Sequence, residues 1–167
     1  MKVLNKYKIE FANLKLGVHA FEFEAKKEFF EEFECFDYLT AAFDVKVKLT
    51  KQSVMMILNF EFSGNISVPC DRCLDEVDMY VDGEEKLIVK FGNEVYNDTD
   101  DILILPEHEH ELNVAKYIYE FIQLNIPQRR VHQYGECNPE VIDKLENREE
   151  NNEKEIDPRW SGLNKLK

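Results

Sequence analysis

The chain has 167 residues, 44% of them hydrophobic and 12% aromatic, enough apolar mass for one real core. Six glycines and five prolines exclude a collagen-like or low-complexity chain. With 34 acidic against 21 basic residues, the net charge of −13 excludes autonomous, non-specific binding to phosphate backbones. The same charge suits a basic partner, and it also suits simple solubility.

In chain order, Val3–Phe11 and Val18–Glu24 read as strands, and Lys26–Phe33 as a short helix or a broken edge. Phe43–Leu49 alternates strictly, with Phe43, Val45, Val47 and Leu49 on one side and Asp44, Lys46 and Lys48 on the other. After a turn at Thr50–Ser53, the alternation continues over Val54–Phe62 through Met56, Leu58, Phe60 and Phe62. The pair predicts an antiparallel hairpin with one wet face. Ser63-Gly-Asn65 reads as a second turn, leading into Ile66 and Val68. Val77–Val81 and Lys86–Phe91 read as a further hairpin about Asp82-Gly83, a strong turn dipeptide.

The spacing of Val114, Tyr117, Ile118, Phe121 and Ile122 predicts a helix over Asn113–Leu124 with one core-facing stripe. Asn113 supplies a cap, and Pro127 forbids continuation. Asn138-Pro-Glu140 predicts the start of a shorter helix, with Val141, Ile142 and Leu145 as its thin apolar face. The reading is one α+β domain over residues 1–146, followed by a polar linker and a tail over 147–167. Asn147–Glu155 carries no apolar side chain. Beyond it, Asp157-Pro-Arg-Trp160 with Leu163 and Leu166 forms an apolar tip that either docks back or anchors a partner. No apolar run approaches the ~20 residues of a membrane helix, and Met1–Tyr7 has no apolar leader core, so a cytoplasmic protein is expected.

The chemistry is concentrated in Cys70-Asp-Arg-Cys73, with His132 and Cys137 far downstream. In a reducing compartment three readings are open. Two thiols on a tight knuckle, completed by a His and a third thiol, are the donor set of one structural zinc. The same thiols can simply pack as small hydrophobes. A redox dithiol is the third reading, although the flanking antiparallel pattern lacks the strand-to-helix setting that lowers a thiol pKa. Cys35 reads as core. His108 and His110, alternating with acids in Pro106–Glu111, suit a weak metal site or a solvated loop. Arg129 and Arg130 beside His132, together with Arg72 and Arg159, form a conceivable RNA-contact or partner-contact surface, or pair with the abundant acids. There is no phosphate-cradling glycine loop, no HExxH and no serine elbow.

Val68-Pro-Cys-Asp-Arg-Cys-Leu-Asp-Glu-Val77 resembles the CxRCL signature of the YceD family, the large ribosomal RNA subunit accumulation proteins. The later order resembles it too: Asp101-Ile-Leu-Ile-Leu-Pro106, an apolar helix, Asn125-Ile-Pro127, His132, Cys137 and a closing Asp157-Pro-Arg159. The similarity spans roughly residue 40 to the end. It implies a bacterial cytoplasmic, non-enzymatic ribosome-biogenesis factor supporting synthesis, processing or stability of large-subunit ribosomal RNA. The expected partners are a ribosomal protein, an rRNA-processing factor or the RNA itself, with Arg72, Arg129, Arg130, Arg159 and Trp160 as candidate contacts. No membrane and no small-molecule substrate is expected. The alternative is a thiol- or zinc-dependent enzyme using Cys70, Cys73, His132 and Cys137. The fold expected is α+β: a curved antiparallel sheet of five to seven strands, open or barrel-like, with one main helix packed on it and a short C-terminal helix.

Overall fold

A computed structural model describes residues 3–92 and 102–151. A 3-10 turn over Leu4–Tyr7 precedes strand β1, Lys8–Ile9, which pairs with β7, Leu112–Asn113, in a two-stranded ribbon. The main sheet holds β2 (Gly17–Lys26), β3 (Thr40–Lys51), β4 (Met55–Pro69), β5 (Glu76–Phe91) and β6 (Ile102–Leu105) in that order. Helix α1, Lys27–Glu31, follows β2. Helices α2, Ala115–Asn125, and α3, Pro139–Asn151, follow the ribbon. The α+β class is as expected, and the sheet is not closed into a barrel.

Period-two patterning sets the inner face. Phe43, Val45, Val47 and Leu49 of β3 lie beside Met56, Leu58, Phe60, Phe62, Ile66 and Val68 of β4, all buried. Helix α2 lays Ile118, Phe121 and Ile122 on this face, with Phe121 edge-on to Phe60 at 5.1 Å. The helix starts two residues later than the sequence pattern implies, with Val114 at the cap position, and Asn113 Oδ1 still accepts from the Ala115 N–H at 2.9 Å. The phenylalanines of the N-terminal third close one end of the core: Phe29 and Phe30 are fully buried, and Phe33 stacks on Tyr119 at 4.5 Å. Lys51 Nζ ties down the loop before β2 by donating to the carbonyls of Phe11 and Leu14.

Four expectations need correction. Ser63-Gly-Asn65 is not a turn: β4 runs unbroken from Met55 to Pro69. Asp82-Gly83 is not a turn either, since β5 runs from Glu76 to Phe91. Both glycines serve a close approach instead, each opposite a phenylalanine in the register, Gly64 by Phe43 and Gly83 by Phe62. A Cβ at Gly64 would lie 2.1 Å from the Ala42 carbonyl oxygen and 2.7 Å from Phe43 Cα. At Gly83 it would meet the tip of the Phe62 ring at 2.6 Å. The third correction is at the N-terminus, where Val3–Phe11 holds a 3-10 turn over Leu4–Tyr7 and a strand only at Lys8–Ile9. The fourth concerns the sheet edge: β6 joins β5 in parallel, Ile88 opposite Ile102, so the sheet is not wholly antiparallel.

Candidate metal centre and flanking surfaces

Strand β4 ends at Pro69, and the chain reverses through Cys70–Asp75 into β5. The knuckle is closed by two hydrogen bonds, Leu74 N–H to the Cys70 carbonyl and Cys70 N–H to the Asp75 carbonyl. Leu74 sits at φ 65°, the left-handed geometry that a tight reversal requires. The segment between α2 and α3 lies against this knuckle. Asp71 N–H donates to the Arg130 carbonyl, and Arg130 N–H donates to Asp71 Oδ2, both at 2.7 Å. Asn138, which caps α3 through the Glu140 N–H, also donates to Asp75 at 3.1 Å.

This clamp brings together the four residues the sequence singles out. Cys70 Sγ lies 4.0 Å from Cys137 Sγ, and His132 Nδ1 lies 3.4 Å from Cys73 Sγ and 3.9 Å from Cys137 Sγ. All four donor atoms lie within 4.8 Å of one another, and the three thiols are buried. His132 Nε2 donates to the Glu76 carbonyl at 2.9 Å, which holds the ring with Nδ1 facing the sulfurs. The cluster is electrostatically uneven. Burial works against ionisation of Cys70, yet hydrogen bonds from Cys73, Arg72 and His132 hold its thiol down at about 6. Burial and the neighbouring thiols push Cys137 up, while the Cys70 sulfur draws the His132 pKa up.

The arginines divide. Arg72 points its guanidinium at Cys137 Sγ, 3.8 Å away, and Arg130 faces Asp71 at 3.7 Å. Arg129 is exposed on the same segment. Arg159 and Trp160 lie outside the described residues, as does the apolar tip they belong to. His108 and His110 join no cluster of metal-ligating side chains among the described residues. Asp71, the residue that binds the two loops, was not singled out from the sequence. Its only signal was its place inside the cysteine motif.

A second feature lies on the outer face of the sheet. A groove of about 560 Å³ is lined by Glu22, Glu24, Asp44, Glu61 and Asp82 against Lys46. The register stacks them in rows, with Glu24 opposite Asp44 and Glu22 opposite Lys46. Glu24 is ion-paired with Lys26 at 2.7 Å, and that bond holds its carboxyl below the usual range. Glu24 also stands opposite Asp44, a like-charge cross-strand pair whose repulsion is offset in part by Lys26, which Asp44 attracts as well.

The family model described as Large ribosomal RNA subunit accumulation protein YceD matches residues 58–167. The chain belongs to the YceD family. The match begins inside β4 at Leu58 and takes in β5, the knuckle and both later helices. No curated protein and no solved structure matches the chain. The YceD family is named for accumulation of the large ribosomal RNA subunit. No helix among the described residues is long and apolar enough to cross a membrane.

Proposed function

We propose that this YceD-family protein is a non-enzymatic cytoplasmic factor that supports synthesis, processing or stability of large-subunit ribosomal RNA by holding a basic protein partner. That partner is a ribosomal protein or a processing factor, and the contact surface is the acidic groove. The observation carrying this reading is the groove itself, with five carboxylates facing one lysine across four neighbouring strands. Its like-charge row costs stability in the free protein, and a cationic partner would relieve that cost. Direct RNA contact is less well served. Arg72 is turned to a buried sulfur and Arg130 to Asp71, which leaves Arg129 as the exposed member of the set among the described residues.

A thiol enzyme would draw on the lowered pKa of Cys70. Cys70 is wholly buried, however, and a substrate would have to displace the clamp to reach it. The test is affinity capture of the full chain with and without nuclease, beside a triple variant Glu22→Gln, Asp44→Asn, Asp82→Asn. The expected result is a basic protein partner that survives nuclease, dissociates at high salt and is lost from the triple variant. Capture abolished by nuclease and unaffected by the triple variant would replace this reading with RNA contact. An unchanged balance of small- and large-subunit RNA in a deletion strain would end the biogenesis role itself.

A further inference from the structure

We infer that Cys70, Cys73, His132 and Cys137 bind one zinc ion in a closed, structural site that staples the segment between α2 and α3 to the β4–β5 corner. Zinc–sulfur bonds of about 2.3 Å and a zinc–nitrogen bond of about 2.0 Å in a tetrahedron place sulfurs about 3.8 Å apart and sulfur and nitrogen about 3.5 Å apart. The edges observed here are 4.0 Å between Cys70 and Cys137 sulfurs, and 3.4 and 3.9 Å from His132 Nδ1 to the sulfurs of Cys73 and Cys137. Those three of the six edges lie close to the tetrahedral values, and all four donor atoms fall within 4.8 Å of one another, close enough to converge on one small cation. They do not match a disulfide, whose sulfurs lie about 2.05 Å apart.

The surroundings are those of a ligand set. The Glu76 carbonyl fixes the His132 tautomer with Nδ1 free to coordinate. The Arg72 backbone N–H donates to Cys70 Sγ at 3.4 Å, as a knuckle amide does to a thiolate. Three thiolates and a neutral imidazole around a dication leave a charge of −1. The Arg72 guanidinium lies against Cys137 Sγ, where it offsets that charge. Four protein donors leave no open coordination position, so the ion holds structure rather than activating water. Thiolate-rich tetrahedral donors favour zinc over magnesium, calcium or manganese. This site stands apart from the acidic groove and does not depend on its partner.

The experiment uses the full chain purified without chelator, measured for zinc by elemental analysis and for thiol reactivity with a disulfide reagent. The expected result is about one zinc per chain, with Cys35 reacting freely and Cys70, Cys73 and Cys137 protected until a strong chelator is added. Cobalt reconstitution should give the intense visible bands of a tetrahedral thiolate complex. Those bands should vanish in Cys73→Ser and in His132→Ala and persist in Cys35→Ser. Absence of zinc together with a cobalt spectrum of octahedral type overturns the inference. So does stoichiometric zinc that persists in both Cys73→Ser and His132→Ala. Because the wild-type zinc content and the cobalt spectrum stand without any variant, a poorly folding mutant does not shield the claim.

Discussion

Gly64→Ala tests the reading that β4 passes straight through Ser63-Gly-Asn65. The new Cβ would stand 2.1 Å from the Ala42 carbonyl oxygen and 2.7 Å from Phe43 Cα and Cδ1. Two of those three atoms are backbone of β3, so relief requires moving a paired strand by more than 1 Å beside the buried Phe43 ring. Overpacking costs about 1–3 kcal/mol where side chains can shift, and a backbone obstacle places this case at about 3 kcal/mol or above. Gly→Ala returns only about 0.4–1 kcal/mol through the unfolded chain. With a urea slope of about 2 kcal/mol per M, the unfolding midpoint should fall by about 1 M or more at unchanged slope. Gly83→Ala is the control: its nearest obstacles are the Phe62 ring tip and the Asn125 amide, both side chains, so a loss of about 1 kcal/mol is expected. A Gly64→Ala midpoint equal to wild type, or above that of Gly83→Ala, would refute the reasoning.

Tyr7→Phe removes a buried hydroxyl that donates to the Glu24 carbonyl at 2.7 Å and should cost about 1 kcal/mol at neutral pH. Burial, and then the Glu24 charge, raise the Tyr7 pKa from 10.0 to about 12. Its contribution is therefore whole below pH 10 and lost as pH rises through about 12, so the gap between variant and wild type should narrow across that window in urea melts; parallel profiles would contradict it. Asp44→Asn relieves the like-charge pair with Glu24 and should raise thermal stability by a few tenths of a kcal/mol while weakening partner capture, and a variant that loses stability would count against the repulsion argument. Asp71→Ala breaks the clamp on Arg130 and should cost about 1–3 kcal/mol, with faster amide exchange over residues 128–138; exchange unchanged there would show that the clamp is redundant.

Much of the sheet was legible because burial on one face imposes period two, and β2, β3 and the first half of β4 follow it residue by residue. The Asp82-Gly83 error came from weighing residue type over parity. In a two-residue hairpin, the residues flanking the turn share a face, which would have set Val81 with Glu84 and Lys86. Val77, Val81, Leu87 and Val89 are all odd-numbered and buried together, so only an unbroken strand gives them one face. At Ser63–Asn65 parity does not discriminate, because a three-residue loop also leaves Phe62 and Ile66 on the same side. There the deciding fact is the long register with β3, which pairs Thr40 with Ser67 and Lys51 with Met56. The four metal-type donors were legible by residue type. Their convergence was not, because it depends on the Asp71–Arg130 and Asp75–Asn138 bonds between loops far apart in sequence. The assignment of Arg72 to a sulfur was equally hidden, since charge alone fits RNA as well as it fits a thiolate.

The long strands β4 and β5 carry both surfaces, the groove near their middle and the knuckle at one end, and this gives a way to separate them. Ser63 and Asp82, which line the groove, are neighbours of Gly64 and Gly83, so the close approach at these glycines helps shape that part of the groove. The knuckle is set by local bonds within Cys70–Asp75 and by the clamp to Arg130, none of which passes through Gly83. Gly83→Ala should therefore weaken capture of a basic partner several-fold in a folded protein, while zinc content and thiol protection stay at wild-type values. Loss of zinc from Gly83→Ala would mean that strain travels along β5 to the knuckle, and the two surfaces would then have to be treated as one coupled unit.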